Sequence, residues 1–264
     1  MKEAKPSGSL STEKTIVGSA TVLFFLILWQ LNSSARLIDP QYISSPSQVL
    51  MAGIETIRSR AFFLHWSVSL AEFLVGMIFA VLFGVILGCV IGRFKTASDL
   101  LDPAIMALYS MPRVTIIPLI VIWFGIGMIS KEVVVFLGAV FPILINAAAG
   151  IKQVDPGIIR AAKSFGASES EIFSKVLLPG AFPYIIAGIR LGIGRGLIGF
   201  IIAEMYAATK GVGYALMDAG EVMKTDELLF YAATVILFGY ALIFLFGRIE
   251  VRYTKHLADM RSLQ

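Results

Sequence analysis

A chain of 264 residues that is 57% hydrophobic and only 15% charged cannot be a soluble globule with a polar shell, since soluble domains carry about 25% charged residues. Its net charge of +4 would suit a nucleic-acid surface in a soluble protein; in a membrane protein basic loops set orientation instead, so membrane lipid is the expected partner and nucleic acid is not. The single cysteine, Cys89, and two distant histidines, His65 and His256, exclude a disulfide framework and a multi-histidine metal site.

A hydrocarbon core of about 30 Å needs roughly 20 helical residues. Windows of that length with little or no charge locate six spans. The first, 15–35, follows the basic flank Lys2, Lys5 and Lys14. Its apolar run, 16–31, is as long as the longest signal-peptide cores or longer, so it is read as an uncleaved span. Ser45-Pro46-Ser47 then starts an amphipathic helix whose Val49, Leu50, Ile54 and Ile57 share one face, suited to the membrane surface. Span two, 73–92, repeats Gly84, Gly88 and Gly92 every fourth residue. Span three, 103–130, holds Arg113 between Pro112 and Pro118. Two prolines in one span predict a kinked or broken helix, whose freed backbone groups must be satisfied in a cavity or in protein. Span four is 133–151. Span five, 185–203, contains Arg190 and Arg195 and a second stripe, Gly188, Gly192 and Gly196. Such stripes let helix backbones approach closely in lipid. Gly194–Gly199 spells G-x-G-x-x-G, but no βαβ pattern surrounds it and it is no nucleotide-binding turn. Span six is 228–247. The alternating segments of a β-barrel are absent.

The fold class is therefore all-α integral membrane, with six transmembrane helices. With the N-terminus inside, the inner segments carry 13 Lys and Arg against 6 outside, which places both termini in the cytoplasm. The organisation is a cytoplasmic N-terminal segment 1–14, a transmembrane domain 15–250 with a cytoplasmic loop 152–183, and a cytoplasmic tail 251–264.

That loop is the most informative part of the chain. Residues 155–179 read DPGIIRAAKSFGASESEIFSKVLLP. Asp155 is an N-cap and Pro156 fits the first helical position, where its missing N–H costs nothing. Gly166 fits the left-handed stop. Ser168 and Glu171 form a capping box for a second helix, which Pro179 is expected to end. Ile158, Ile159, Ala162 and Phe165 fall at helical spacing, as do Ile172, Phe173, Val176 and Leu177, giving each helix an apolar face. The small Ala161–Ala162 pair admits a close-packed partner. A stiff, capped helix pair with apolar faces is built for docking.

The spacing Ala161-Ala162, three residues, Gly166, nine residues, Val176, one residue, Leu178-Pro179 resembles the cytoplasmic "EAA" loop of ABC-type import permeases. Arg160 stands where that loop has Glu, so the sign is reversed and the partner surface would carry a compensating acid. Phe182-Pro183, Ala187-Gly188-Ile189-Arg190, Ala203-Glu204-Met205 and Gly211-Val212-Gly213 are similar to the branch importing nitrate, sulfonates and taurine. So are Ile117-Pro118-Leu119, Trp123–Gly127, and His65 four residues before Ser69-Leu70.

The resemblance implies a permease in the bacterial inner membrane, not an enzyme. It would work with separate ABC ATPase subunits that bind the ATP, with a periplasmic substrate-binding protein, and with a second permease copy. Asp155, Arg160, Ala161, Ala162, Phe165, Gly166, Val176, Leu178 and Pro179 would form the ATPase-coupling loop. The chain has no Gly-x4-Gly-Lys-Ser/Thr stretch, so it needs such a partner to use ATP. No cofactor is expected in this chain.

Charges inside spans call for a reason. Arg113 and Arg195 are candidates for raising the positive potential of a passage for an anion, with Glu204 beside them. A salt bridge or loop anchor is the alternative for Arg195 and Glu204, and snorkelling for Arg190. The solute would be nitrate, a sulfonate, taurine or a similar organic acid. A secondary transporter or channel is the alternative function, but it would show inverted repeats or deep coupling acids, which are absent here.

Overall fold

The computed structural model describes residues 7–35, 39 and 42–261. Residues 1–6 of the expected N-terminal segment and 262–264 of the expected tail lie outside the described residues. The described residues fall into two compact units, one within Met1–Phe62 and Leu216–Ala233, the other within Phe63–Ala215 and Thr234–Gln264.

In the first unit, α1 (Ser7–Ser34) exposes its apolar residues along the span, as a helix wetted by lipid can. Its Trp29 Nε1 donates to the Ser44 carbonyl at 2.8 Å, and its Gln30 Oε1 accepts from the Ser47 backbone N–H at 3.2 Å. Helix α2 (Pro46–Arg58) starts where the sequence placed it. Ser45 and Gln48 form a reciprocal capping box and Pro46 opens the helix. Leu50, Ile54 and Ile57 are all exposed, so the expected apolar face is available to the membrane surface. Gly53 of α2 lies flat against Phe230, where a Cβ would come within 2.5 Å of the ring.

The second unit is built around α6 (Met128–Lys152), which runs between α3 (Arg60–Arg93) and α9 (Leu178–Ala207). Both predicted glycine stripes face this one helix. On α3, a Cβ at Gly88 would meet the Leu144 carbonyl at 2.5 Å and Ala147 Cβ at 2.7 Å, and Gly84 and Gly92 press on Ile143 and Ile151 in the same way. On α9, Gly188 and Gly192 lie against Asn146, Ile143 and Ala139. Gly138 of α6 answers with its own bare backbone, its missing Cβ falling 2.9 Å from Gly196 Cα. Ala139, Ile143, Ala147 and Ala181 are wholly buried in the resulting core.

Among the described residues, five helices are long and apolar enough to cross a membrane, and a sixth span exists if one bent pair is counted as one. That pair is the expected broken span. Helix α4 (Lys95–Ser110) stops at Met111, held extended by the following Pro112. A 3₁₀ turn over Arg113–Ile116 leads into α5 (Ile117–Phe124), and the two limbs meet at 86°. The expected boundary of span three was too long. Gly125 (φ 78°) and Gly127 (φ 155°) end α5, and residues 128–130 belong to α6 instead. Helix α3 likewise begins well before residue 73, which draws Ser69 and Glu72 into the helix.

The packing predicts a sharp contrast between two glycines. Gly88→Val forces a side chain onto α6 backbone and should cost about 1–3 kcal/mol through overpacking. Gly194→Ala enters space with no neighbour within 4 Å and should be neutral or stabilising. Thermal unfolding in detergent is the check; equal melting temperatures for the two variants would contradict the close approach of α3 to α6.

Candidate coupling loop and translocation path

The polar loop between α6 and α9 folds as its sequence signals dictate. Helix α7 (Pro156–Ser164) begins with Asp155, whose Oδ1 accepts the Gly157 N–H at 2.6 Å. It ends in a full Schellman motif. The Gly166 N–H donates to the Lys163 carbonyl at 3.0 Å, and the Ala167 N–H to the Ala162 carbonyl at 3.1 Å. Gly166 carries φ 81°, which a side chain would resist. Helix α8 (Glu169–Ile172) starts with the predicted capping box. The Glu171 Oε2 accepts from both the Ser168 backbone N–H and its hydroxyl at 3.0 Å, while Lys175 Nζ reaches Oε1 at 2.9 Å. These groups, the Ser168 N–H foremost, hold the Glu171 carboxyl well below the usual range, at about 2. Both residues sit in the polar loop, ahead of the apolar run. Glu169 bridges Lys163 of α7, at 2.7 Å, and Arg93 at the end of α3, so one carboxylate ties the loop to itself and to α3. These pairs are exposed and add little stability; their effect is to fix geometry.

Pro179 does not end the second helix. One π-turn, Phe173–Leu177, carries the chain from α8 straight into α9, with the Leu178 N–H donating to the Phe173 carbonyl. The wide turn takes up the misfit that a proline, lacking an N–H and crowding the carbonyl four residues back, imposes on a regular helix. Pro179 then sits in the first turn of α9. The loop therefore joins the fifth span without a break.

The apolar faces are divided differently from the sequence reading. Ile172 and Leu177 are buried in the chain's own core, and Ile159, Ala162, Phe173 and Val176 pack against it. Ala162 is thus half-buried against that core. Left outward are Ile158, Arg160, Ala161 and Phe165, the last 91% exposed. Arg160 makes no ion pair among the described residues.

At the other end of α9, residues noted separately in the sequence form one cluster. The first N–H groups of α10 (Val212–Glu221) have no partners inside their own helix. Acceptors come from elsewhere. Gly211 N–H donates to His65 Nδ1 at 3.0 Å, Val212 N–H to Ser69 Oγ at 2.8 Å, and Gly213 N–H to Glu204 Oε2 at 2.8 Å. Ser69 Oγ in turn donates to Glu204 Oε1 at 2.6 Å. Glu204 is fully buried, and a Cβ at Gly211 would collide with its carboxylate. Glu204 is therefore a loop anchor, the second of its two sequence readings, and the structure does not bring it to Arg113 and Arg195.

Those two arginines share one ring. The Arg195 guanidinium lies 4.9 Å from the Tyr109 ring centroid and that of Arg113 5.6 Å from the same ring. Phe141 stands 5.9 Å from Arg113 on another side. Arg190 takes a different course, pairing with Glu250 at 3.1 Å. The sequence reading missed a further pair, Lys131 and Glu72, 2.5 Å apart and both buried. Neither lay inside an expected span, so nothing in the pattern flagged them.

Residues 80–257 match the family model for the binding-protein-dependent transport system inner membrane component. The taurine transport system permease protein of Escherichia coli is 36% identical over 239 residues, covering 88% of this chain and 86% of that protein. The chain belongs to this family of ABC importer permeases. A putative aliphatic sulfonates transport permease of Bacillus subtilis is 30% identical over 77% of this chain and 74% of its own. The inward-facing MetNI methionine ABC transporter shares the fold, with a TM-score of 0.58 at 20% identity, over 78% of this chain and 96% of that one.

The permease is a multi-pass inner-membrane protein and not an enzyme; its place in a binding-protein-dependent system implies an ATPase and a substrate-binding protein as partners. Removing the anchor should loosen the end of α9. Glu204→Ala leaves the Gly213 N–H and the Ser69 hydroxyl without their acceptor and should cost about 1–3 kcal/mol. Glu204→Gln keeps an acceptor oxygen and should cost less. Melting temperatures of the purified permease will rank wild type, Gln and Ala in that order; an Ala variant as stable as wild type contradicts the anchor.

Proposed function

We propose that this permease imports a small solute bearing a sulfonate or comparable oxyanion, handed over by a periplasmic binding protein. Both termini lie in the cytoplasm, and two copies face each other across the passage. ATP is bound by the partner ATPases. The observation that carries the reading is the outward face of α7. A large aromatic side chain, Phe165, stands almost wholly exposed on a helix fixed by a Schellman motif, a capping box and the Glu169 bridge. A fully exposed aromatic on so rigid a support has the character of an interface anchor.

The mechanism follows from what the loop is attached to. Phe165 and Ile158 enter a groove on the ATPase, and Ala161 lets the two backbones close up. Arg160 meets an acidic group there. When two ATPases close on ATP they draw the two loops together. The π-turn transmits that displacement into α9 without a break, and the glycine contacts carry it to α6 and α3. The passage then opens outward to the binding protein, and hydrolysis restores the inward-facing state. Arg113 and Arg195 line the path, and the relatives that carry taurine and aliphatic sulfonates support an anionic cargo.

Co-purification of the ATPase with tagged permease tests the docking face. Phe165→Ala should lower the recovered ATPase about tenfold or more, as loss of an anchor side chain does. Ala161→Trp and Gly166→Pro should abolish recovery while the permease still inserts. Wild-type recovery from all three would overturn the docking role.

A further inference from the structure

The fold treats the cations of its long apolar helices and of the bent pair unequally. Lys131 has Glu72 and Arg190 has Glu250. Arg113 and Arg195 have no carboxylate among the described ion pairs. The charged group that Arg113 faces is Arg195, of its own sign. The Arg113 Nε and Nη2 atoms are buried and have no acceptor among the described residues. Among the described residues, the two like charges share the Tyr109 ring, with Phe141 beside Arg113. An aromatic face attracts a cation but offers its N–H groups no proper acceptor. A charged donor edge kept from water without a partner is among the costlier features a fold can hold. It persists where something else completes it.

The backbone points the same way. Arg113 stands in the break between α4 and α5, at the start of the short helical limb 113–124. Arg113 presents Nε–H and Nη2–H as a parallel fork, the geometry that matches two oxygens of one anion.

We infer that Arg113 and Arg195 form an anion-binding site inside the permease, which grips the oxyanion headgroup of the solute itself against Tyr109. This rests on the reading of the chain as a permease for an anionic solute and deepens it. The permease then selects its cargo a second time, after the binding protein, by requiring one negative charge and two oxygens that a fork can hold. A neutral molecule of the same shape is refused because it leaves two guanidiniums uncompensated.

The test uses the permease–ATPase complex in lipid nanodiscs without binding protein, titrated with ethanesulfonate and followed by ligand-observed NMR. Wild type should bind saturably, and the neutral isostere ethanesulfonamide about tenfold more weakly or less, as expected for a charge-assisted site. Arg113→Gln and Arg195→Gln should each weaken ethanesulfonate about tenfold. Arg113→Lys, which keeps the charge and loses the fork, should fall between them and wild type. Arg190→Gln should bind like wild type. ATPase co-purification certifies that each variant is folded, and the Lys variant serves if a Gln variant does not insert. Equal binding of sulfonate and sulfonamide, or wild-type affinity in the folded Arg113 variants, overturns the site. No ethanesulfonate binding by a complex that still imports solute with ATP and binding protein also overturns the site, while leaving the permease reading intact. A complex that neither binds nor imports any anion brings down the reading beneath it.

Discussion

The close approach of α6 to the bare backbones of α3 and α9 is the constraint on which the rest depends. In lipid there is no hydrophobic gain from pressing two apolar helices together, so association rests on packing and on the distance of approach. Glycines at Gly84, Gly88 and Gly92 on one side and Gly188, Gly192 and Gly196 on the other let α6 sit nearly backbone to backbone between them. Contacts of that kind are not easily deformed, because no flexible side chain intervenes to absorb a shift. The three helices therefore behave as one slab. The polar loop is mounted on one end of α9 and the Glu204 anchor on the other.

Polar chemistry inside the slab sorts by partner. Glu204 is buried with its oxygens occupied by Ser69 and Gly213, and it supplies α10 with part of a cap that α10 cannot make for itself. Lys131 and Glu72 neutralise each other. These groups hold parts in place. Arg113 and Arg195 are arranged differently, gathered on one ring at the sharp break between α4 and α5. A membrane protein confines irregular backbone to places where it lines a cavity or is buried in protein. The break thus has a use in the same place as the charges.

Most of the architecture was legible because its signals are local. Asp155 and Gly166 cap the two ends of α7 and the Ser168–Glu171 box caps α8, each through bonds to neighbours within a few residues, and all three caps formed. The prolines flanking Arg113 announced the broken span for the same reason. Span limits were less legible, because charge-free windows ignore charges that find partners in tertiary structure. Glu72 and Lys131 extend two helices past the expected ends by pairing across 59 positions of sequence. Pro179 misled for a subtler reason: a proline stops a regular helix, but a single wide turn ahead of it lets the helix continue. The fate of each apolar face was also invisible. Periodicity set Ala162 beside Ala161, yet only packing decides that one turns toward the core and the other stays exposed. For Glu204 the sequence left two roles open, and only the distant Ser69 and Gly213 choose between them.

Whether the slab moves as one body is the central question. It can be measured by pulsed electron spin resonance on a Cys89→Ala permease labelled through Ser164→Cys on the coupling loop and Ser67→Cys near the far end of α3. Doubly labelled copies diluted with unlabelled ones report the distance within one chain, and copies labelled only on the loop report the distance between two. On ATP binding, the loop-to-loop distance should shorten while the distance within the chain stays constant. A within-chain distance that changes as much as the loop-to-loop distance would contradict a slab locked by its glycines.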